Sequence, residues 1–129
     1  MSLELISNIP GGPPAIGPYS PAVIAQGRTL YISGQIPFDA AAGQIVRGTV
    51  AEQTEIVLTN LERVVKTAGA TLSKVIQCRV YLADLTKENF GEMNGVYMRF
   101  FGDHKPARTT VGASLLGFDV EIEAVVALD

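Results

Sequence analysis

Residues 106–124 read PARTTVGASLLGFDVEIEA, with one arginine near the start and two alternating glutamates near the end. Thr109-Thr110-Val111 follows Arg108 as a β-branched run, the composition of a strand. Glu121 and Glu123 alternate with Val120, Ile122 and Ala124. Strand geometry therefore sends both carboxylates to one face and the apolar residues to the other. Two readings follow. These charges either face solvent, as Arg and Glu usually do, or they form a site. In a site, the forked guanidinium grips a planar carboxylate and a glutamate positions a water. Spacing alone favours the first, and what shifts the balance lies upstream.

Upstream, the helical signals are clear. Thr49 and Glu52 have capping-box spacing, and Val57, Leu61, Val64, Val65 and Ala68 recur at helical intervals before Gly69, a C-terminal cap. Val75 to Ala83 predicts a strand with Ile76, Cys78, Val80 and Leu82 on one face and Gln77, Arg79 and Tyr81 on the other. Thr86 caps a second helix whose inward stripe is Phe90, Met93, Tyr97 and Phe100/Phe101, with Gly102 past its end. Gly91 and Gly95 each cost that helix roughly 1 kcal/mol relative to alanine. Close packing of the helix on a sheet is the expected reason for them.

The first third of the chain reads as strands and one ordered loop. Residues 3–6 suit a short strand. Asn8 to Pro21 is too rich in proline and glycine for a helix or a central strand. Ile16 and Tyr19 within it predict a loop laid against the body of the protein. Ala22–Gln26 and Thr29–Ser33 read as a hairpin turning at Gly27-Arg28, and the second strand stops at Gly34-Gln35-Ile36-Pro37. Gly43 marks a turn before a short strand at Gln44–Val46. The order β, β, β, α, β, α, β, β predicts a single α+β domain over residues 1–129. Its expected form is one mixed six-stranded sheet with two helices on one face. The other sheet face would be bare.

Composition points the same way. The chain is 47% apolar and 18% charged, against roughly 25% charged in an ordinary soluble domain. Mean hydropathy is +0.26, yet no run reaches the ~18 apolar residues of a membrane span. The excess fits a homo-oligomer with apolar interfaces. Net charge is −3 and the 10 basic residues are scattered, without the basic stripe of a nucleic-acid binder. The lone cysteine, Cys78, makes no internal disulfide and suits a reduced compartment. MSLELISNIPGG carries no basic leader or long apolar core. The expected location is the cytoplasm, or the mitochondrion where a presequence has been removed. No cluster has metal-ligand spacing and no Gly-rich phosphate loop precedes a helix, so neither metal nor organic cofactor is expected. His104, the only histidine, sits in a polar loop and lacks a partner for acid–base work.

Five short motifs occur in a fixed order: Ile16-Gly17-Pro18-Tyr19-Ser20-Pro21, Ser33-Gly34-Gln35-Ile36-Pro37, Asn94-Gly95-Val96-Tyr97, Pro106-Ala107-Arg108-Thr109-Thr110-Val111 and Val120-Glu121-Ile122-Glu123-Ala124. Together they cover nearly the whole chain, which resembles the RidA (YjgF, L-PSP) family of reactive-intermediate imine deaminases. That resemblance implies a chorismate-mutase-like protomer, a homotrimer with a central β-barrel, and sites in the clefts between subunits. It also implies hydrolysis of enamine and imine carboxylates such as 2-aminoacrylate and 2-iminopropionate to 2-oxo acids and ammonia.

By the same resemblance, Arg108 binds the substrate carboxylate and Glu121 holds the attacking water. Tyr19, Ser33, Gly34, Asn94 and Thr110 line the cleft, while Glu123 belongs to a structural network. Thr110 departs from the best-known bacterial members, which have cysteine there. A threonine hydroxyl is a poor unassisted nucleophile, but imine hydrolysis needs no covalent step. Pro21 stands where many relatives have glutamine. Two other functions go with the resemblance: an L-PSP-type endoribonuclease on single-stranded RNA, and a non-catalytic trimeric binder of small carboxylates. The acidic net charge weighs against the first. The presence of both Arg108 and Glu121 favours an enzyme over the second.

Overall fold

Chain order runs β1 (Ser2–Ile6), β2 (Ala22–Gln26), β3 (Thr29–Gln35), β4 (Phe38–Asp39), β5 (Gln44–Ile45), α1 (Val50–Thr67), β6 (Val75–Leu82), α2 (Lys87–Phe101), β7 (Ala107–Gly112) and β8 (Val120–Ala127). These elements come from a computed structural model that describes residues 2–129. Helix α1 starts where the capping box puts it. Thr49 Oγ1 accepts from the Glu52 amide at 3.1 Å, and Glu52 Oε1 accepts from the Thr49 amide at 2.8 Å. Its Val57, Leu58, Leu61 and Val65 are fully buried. Each such side chain contributes about 1.5–3 kcal/mol relative to exposure. Buried Gln53 donates to the Gly48 carbonyl and to Asp119, and accepts from the Asp119 amide, which ties α1 to the entry of β8.

Helix α2 is capped by Thr86, whose Oγ1 accepts from the Asn89 amide at 3.0 Å. It buries Met93, Val96, Tyr97 and Phe101. Gly91 and Gly95 correct the expectation placed on them: both are exposed, and an added Cβ would meet nothing within 4 Å. They lie away from the sheet.

The helices pack against a mixed sheet of order β3-β8-β6-β7, in which only β6 and β7 run parallel. The α+β architecture is the expected one, but the single six-stranded sheet is not. Strand β2 pairs with β1 in a separate antiparallel ribbon, and β4 with β5 in another. The anticipated β2–β3 hairpin gives way at its corner. Gly27 adopts φ 105°, and Arg28 is drawn to the end of β8. The Arg28 amide and guanidinium donate to Asp129, and the Arg28 carbonyl accepts from the Leu128 amide at 2.9 Å. These contacts close the open end of the β3–β8 ladder, which runs from Thr29–Ala127 to Gln35–Ile122.

One face assignment also shifts. Val75 pairs with Val126 and Gln77 with Val125, so the register slips between Val75 and Gln77. Ile76 is the extra residue of this irregularity. Val75 takes the core position in its place, fully buried, with Cys78, Val80 and Leu82 following as expected. Among the described residues no helix is long and apolar enough to cross a membrane.

Candidate active site

Arg108 sits beside Cys78 in the parallel pairing of β7 with β6. Cys78 is buried under the helices, so Arg108 projects to that same side, into the gap between edge strand β7 and α2. Its Nη1 donates to Asn94 Oδ1 at 2.7 Å and lies 3.9 Å from Met93 Sδ. The guanidinium carbon is 4.9 Å from the centre of the Tyr97 ring and 5.6 Å from those of Tyr19 and Phe90. An aromatic cage thus holds the cation.

Tyr19 reaches the cage because the Pro-rich loop is latched to β7. The Ser20 amide donates to the Pro106 carbonyl at 3.0 Å, the Ser20 hydroxyl donates to the Lys105 carbonyl, and Ser20 bridges to Ala107. The Ile16 amide donates to the Tyr19 hydroxyl at 3.2 Å and closes the turn. Ile16, Tyr19, Phe90, Arg108 and Thr110 surround a cavity of about 220 Å³. The Thr110 hydroxyl is buried with no hydrogen-bond partner.

Electrostatically, Arg108 is a cation among aromatic rings. Arg108 is half-buried, and burial pulls its pKa down from the ordinary value. No carboxylate of the described residues pairs with it. A guanidinium carries five N–H donors, and among the described residues only Nη1 is hydrogen-bonded. Beneath it, burial pushes the Cys78 thiol up to about 12, so Cys78 is protonated at neutral pH. Burial also raises Tyr97, whose hydroxyl faces the Cys78 thiol without a hydrogen bond of ordinary geometry.

The remaining predicted residues lie across the sheet. Glu121 pairs with Tyr81 and Glu123 with Arg79, on the face opposite Arg108. Tyr81 donates to Glu123 Oε1 at 2.5 Å, and Arg79 Nη1 lies 3.3 Å from Glu123 Oε2. The bond to Glu123 raises the Tyr81 pKa. Glu123 is therefore held in a structural network, whereas Glu121 turns toward β3. There the ladder runs from Ile32–Ala124 to Gln35–Ile122, so Ser33 and Gly34 form a bulge. A Cβ on Gly34 would overlap the Glu121 carboxylate. One protomer thus brings Tyr19, Asn94, Arg108 and Thr110 together, and separately Ser33, Gly34 and Glu121. The two groups do not meet.

The model of the family described as "Endoribonuclease L-PSP" matches residues 11–128. This chain belongs to the RidA/YjgF family. Relatives include a RutC family protein of Pyrococcus horikoshii, 47% identical over 88% of this chain and 89% of that protein. A bovine protein named 2-iminobutanoate/2-iminopropanoate deaminase is 44% identical over 88% of this chain and 82% of its own length. A solved Rid-family protein of unknown function from Yersinia pestis aligns with a TM-score of 0.86, at 31% identity over 99% of this chain and 100% of that one. The RidA/YjgF family thus includes proteins named as enzymes under more than one activity.

For this RidA/YjgF member, sequence reasoning missed Phe90 and Tyr97 as site residues because their helical spacing assigns them to the core. Both do face inward, and both also offer a ring to Arg108. Ile16 was readable only as an apolar residue that its loop must use. His104 lies elsewhere, with Nε2 donating to the Val75 carbonyl at 2.7 Å. That bond makes it a latch between the end of α2 and the start of β6.

Proposed function

We propose that this protein hydrolyses small 2-imino carboxylates and their enamine tautomers, such as 2-iminopropionate and 2-aminoacrylate, to 2-oxo acids and ammonia. The observation that carries this reading is Arg108, a half-buried cation with unengaged donors beside a cavity of about 220 Å³ and no carboxylate partner among the described residues. A substrate carboxylate supplies the missing charge in two-point fashion. Thr110 offers its unpartnered hydroxyl next to it. An imine carbon beside a carboxylate is electrophilic, more so once its nitrogen is protonated. Water adds to that carbon and gives one proton, by way of a carboxylate, to the nitrogen; the hydroxyl left on carbon then returns its proton to the carboxylate as C=O forms and the C–N bond breaks, leaving the 2-oxo acid and ammonia. Orientation supplies most of the acceleration.

Glu121 is the carboxylate for that water, and a second copy of the chain brings it to Arg108, since within one protomer the two face opposite ways. The assembly is a homotrimer whose sheets form a central barrel, with a site in each cleft between subunits. Support comes from the helix-free sheet face, where Tyr31 is 76% exposed and Val111 is exposed too. The low charged fraction of 18% agrees. A relative at 44% identity that bears the deaminase name adds weight. An RNA substrate draws no support from a net charge of −3 or from a single histidine bound to a backbone carbonyl.

The test is clearance of 2-iminopropionate, generated in situ by an amino-acid oxidase and trapped with semicarbazide. The wild type should clear it. Arg108→Ala should lose roughly 10- to 100-fold in kcat/KM, the cost of a charge-assisted hydrogen-bonded contact. A folded wild type that binds pyruvate yet leaves the imine intact would replace this reading with that of a carboxylate binder.

A further inference from the structure

The three rings around the Arg108 guanidinium are not equivalent. Tyr19 and Phe90, each 5.6 Å from its central carbon, are half-buried and line the cavity of about 220 Å³. Tyr97 is nearer, at 4.9 Å, and fully buried, and it does not line that cavity. It stands behind the arginine on α2, its own ring 4.6 Å from that of Phe101. The Tyr97 hydroxyl has no hydrogen-bond partner, so what it offers the cation is the face of its ring. From the sheet side, fully buried Cys78 lies beside Arg108 in the parallel register.

We infer that Tyr97 is a positioning residue for Arg108, its ring holding the guanidinium so that the free edge meets an incoming carboxylate already oriented. This inference rests on the deaminase reading, in which Arg108 binds the substrate carboxylate. An arginine side chain free to move gives up rotamer freedom when it binds, whereas one held beforehand does not. A ring face attracts the cation without using its N–H donors. A carboxylate in the same place would take both the donors and the charge. Asn94 fixes one corner through the 2.7 Å bond to Nη1, and Tyr97 backs the rest of the group. Nε and Nη2 keep their donors free of hydrogen bonds among the described residues. Because Tyr97 lies outside the cavity wall, it acts through Arg108 and not on the ligand.

The experiment compares wild type with Tyr97→Leu, which removes the ring, and Tyr97→Phe, which restores it. Leu61→Ala, a truncation at a fully buried position of α1, controls for lost core packing. Three quantities are read: kcat and KM for 2-iminopropionate, pyruvate affinity by calorimetry, and the NMR resonance of the Arg108 Nε–H group, assigned by its loss in Arg108→Ala. In the wild type that resonance should be displaced from the position of a free arginine side chain by the ring beside it. Tyr97→Leu should return it to the free position, raise KM and weaken pyruvate binding by roughly fivefold or more, and change kcat by less than about twofold. Tyr97→Phe should recover all three. Leu61→Ala should lower the melting temperature and leave resonance, KM and affinity in place. A wild-type resonance at the free position would overturn the inference even if Tyr97→Leu fails to fold. Unchanged KM and affinity in folded Tyr97→Leu, or an equal loss in Leu61→Ala, would overturn it while the deaminase reading stands. If the wild type neither clears the imine nor binds pyruvate, the deaminase reading fails and the resonance alone decides. Return to the free position in Tyr97→Leu and not in Tyr97→Phe upholds the placement of Arg108 by Tyr97, and any other pattern rejects it.

Discussion

Gly34 shows how much a missing side chain can carry. Its φ lies outside the left-handed region, so the backbone would accept alanine. What would not fit is the Cβ, which overlaps the end of Glu121. Because a carboxylate on a flexible stem can move aside, Gly34→Ala should leave the melting temperature within a few degrees of wild type. On the proposed role of Glu121 in holding the water, moving its carboxylate should lower kcat on the order of tenfold or more, with KM much less affected because Arg108 is untouched. Steady-state kinetics and a thermal melt check both halves. A change in KM alone would detach Glu121 from the chemistry. The family resemblance places Gly34 in the cleft, but nothing in the sequence says that the group approaching it is Glu121. That depends on the bulge at Ser33-Gly34, which sets β3 against β8.

At the level of elements, the helices follow local rules while the strands depend on partners. Both α1 and α2 begin at threonines whose side chains cap them, because a cap is satisfied by residues within one turn. Gly91 and Gly95 are the local anomaly in α2. Both are exposed to open space, so the stability they cost has no compensation within the protomer. Gly95→Ala should stabilise the fold by about 1 kcal/mol, read as a higher urea midpoint at unchanged slope. A lower midpoint would mean that another chain packs against this face of α2. The strands were legible as strands, but their pairing was not. The Gly27-Arg28 corner looks like a hairpin turn in sequence, yet β3 takes β8 as its neighbour through a ladder running from Thr29–Ala127 to Gln35–Ile122.

For the whole molecule, the decisive fact is that Arg108 and Glu121 occupy opposite faces of one sheet. If a second copy completes each site, Arg108→Ala and Glu121→Ala fail for different reasons and complement each other. Each variant alone should fall roughly 10- to 100-fold in kcat/KM. Subunits of the two, unfolded together and refolded as mixed assemblies, should regain a measurable fraction of wild-type clearance, because some clefts then receive an intact arginine and an intact glutamate. No recovery in assemblies of confirmed mixed composition would show that the two residues do not act across an interface. Sedimentation of the wild type at micromolar concentration should give three times the protomer mass.

The sequence by itself determined whatever is settled over short range. That covers the caps and apolar stripes of α1 and α2, the ordered Pro-rich loop, the alternation of Val120 to Ala124 and the motifs that mark the family. These depend on helical and strand periodicity and on side chains bonding to their own turn. Tertiary structure decided the rest: β1 with β2, β3 with β8, Val75 rather than Ile76 in the core, and Phe90 and Tyr97 as the cage of Arg108. It also decided that the arginine and the glutamate of one chain face away from each other. Strand side chains alternate with a period of two, so which residues share a face hangs on register. Register is fixed by hydrogen bonds between segments far apart in the chain.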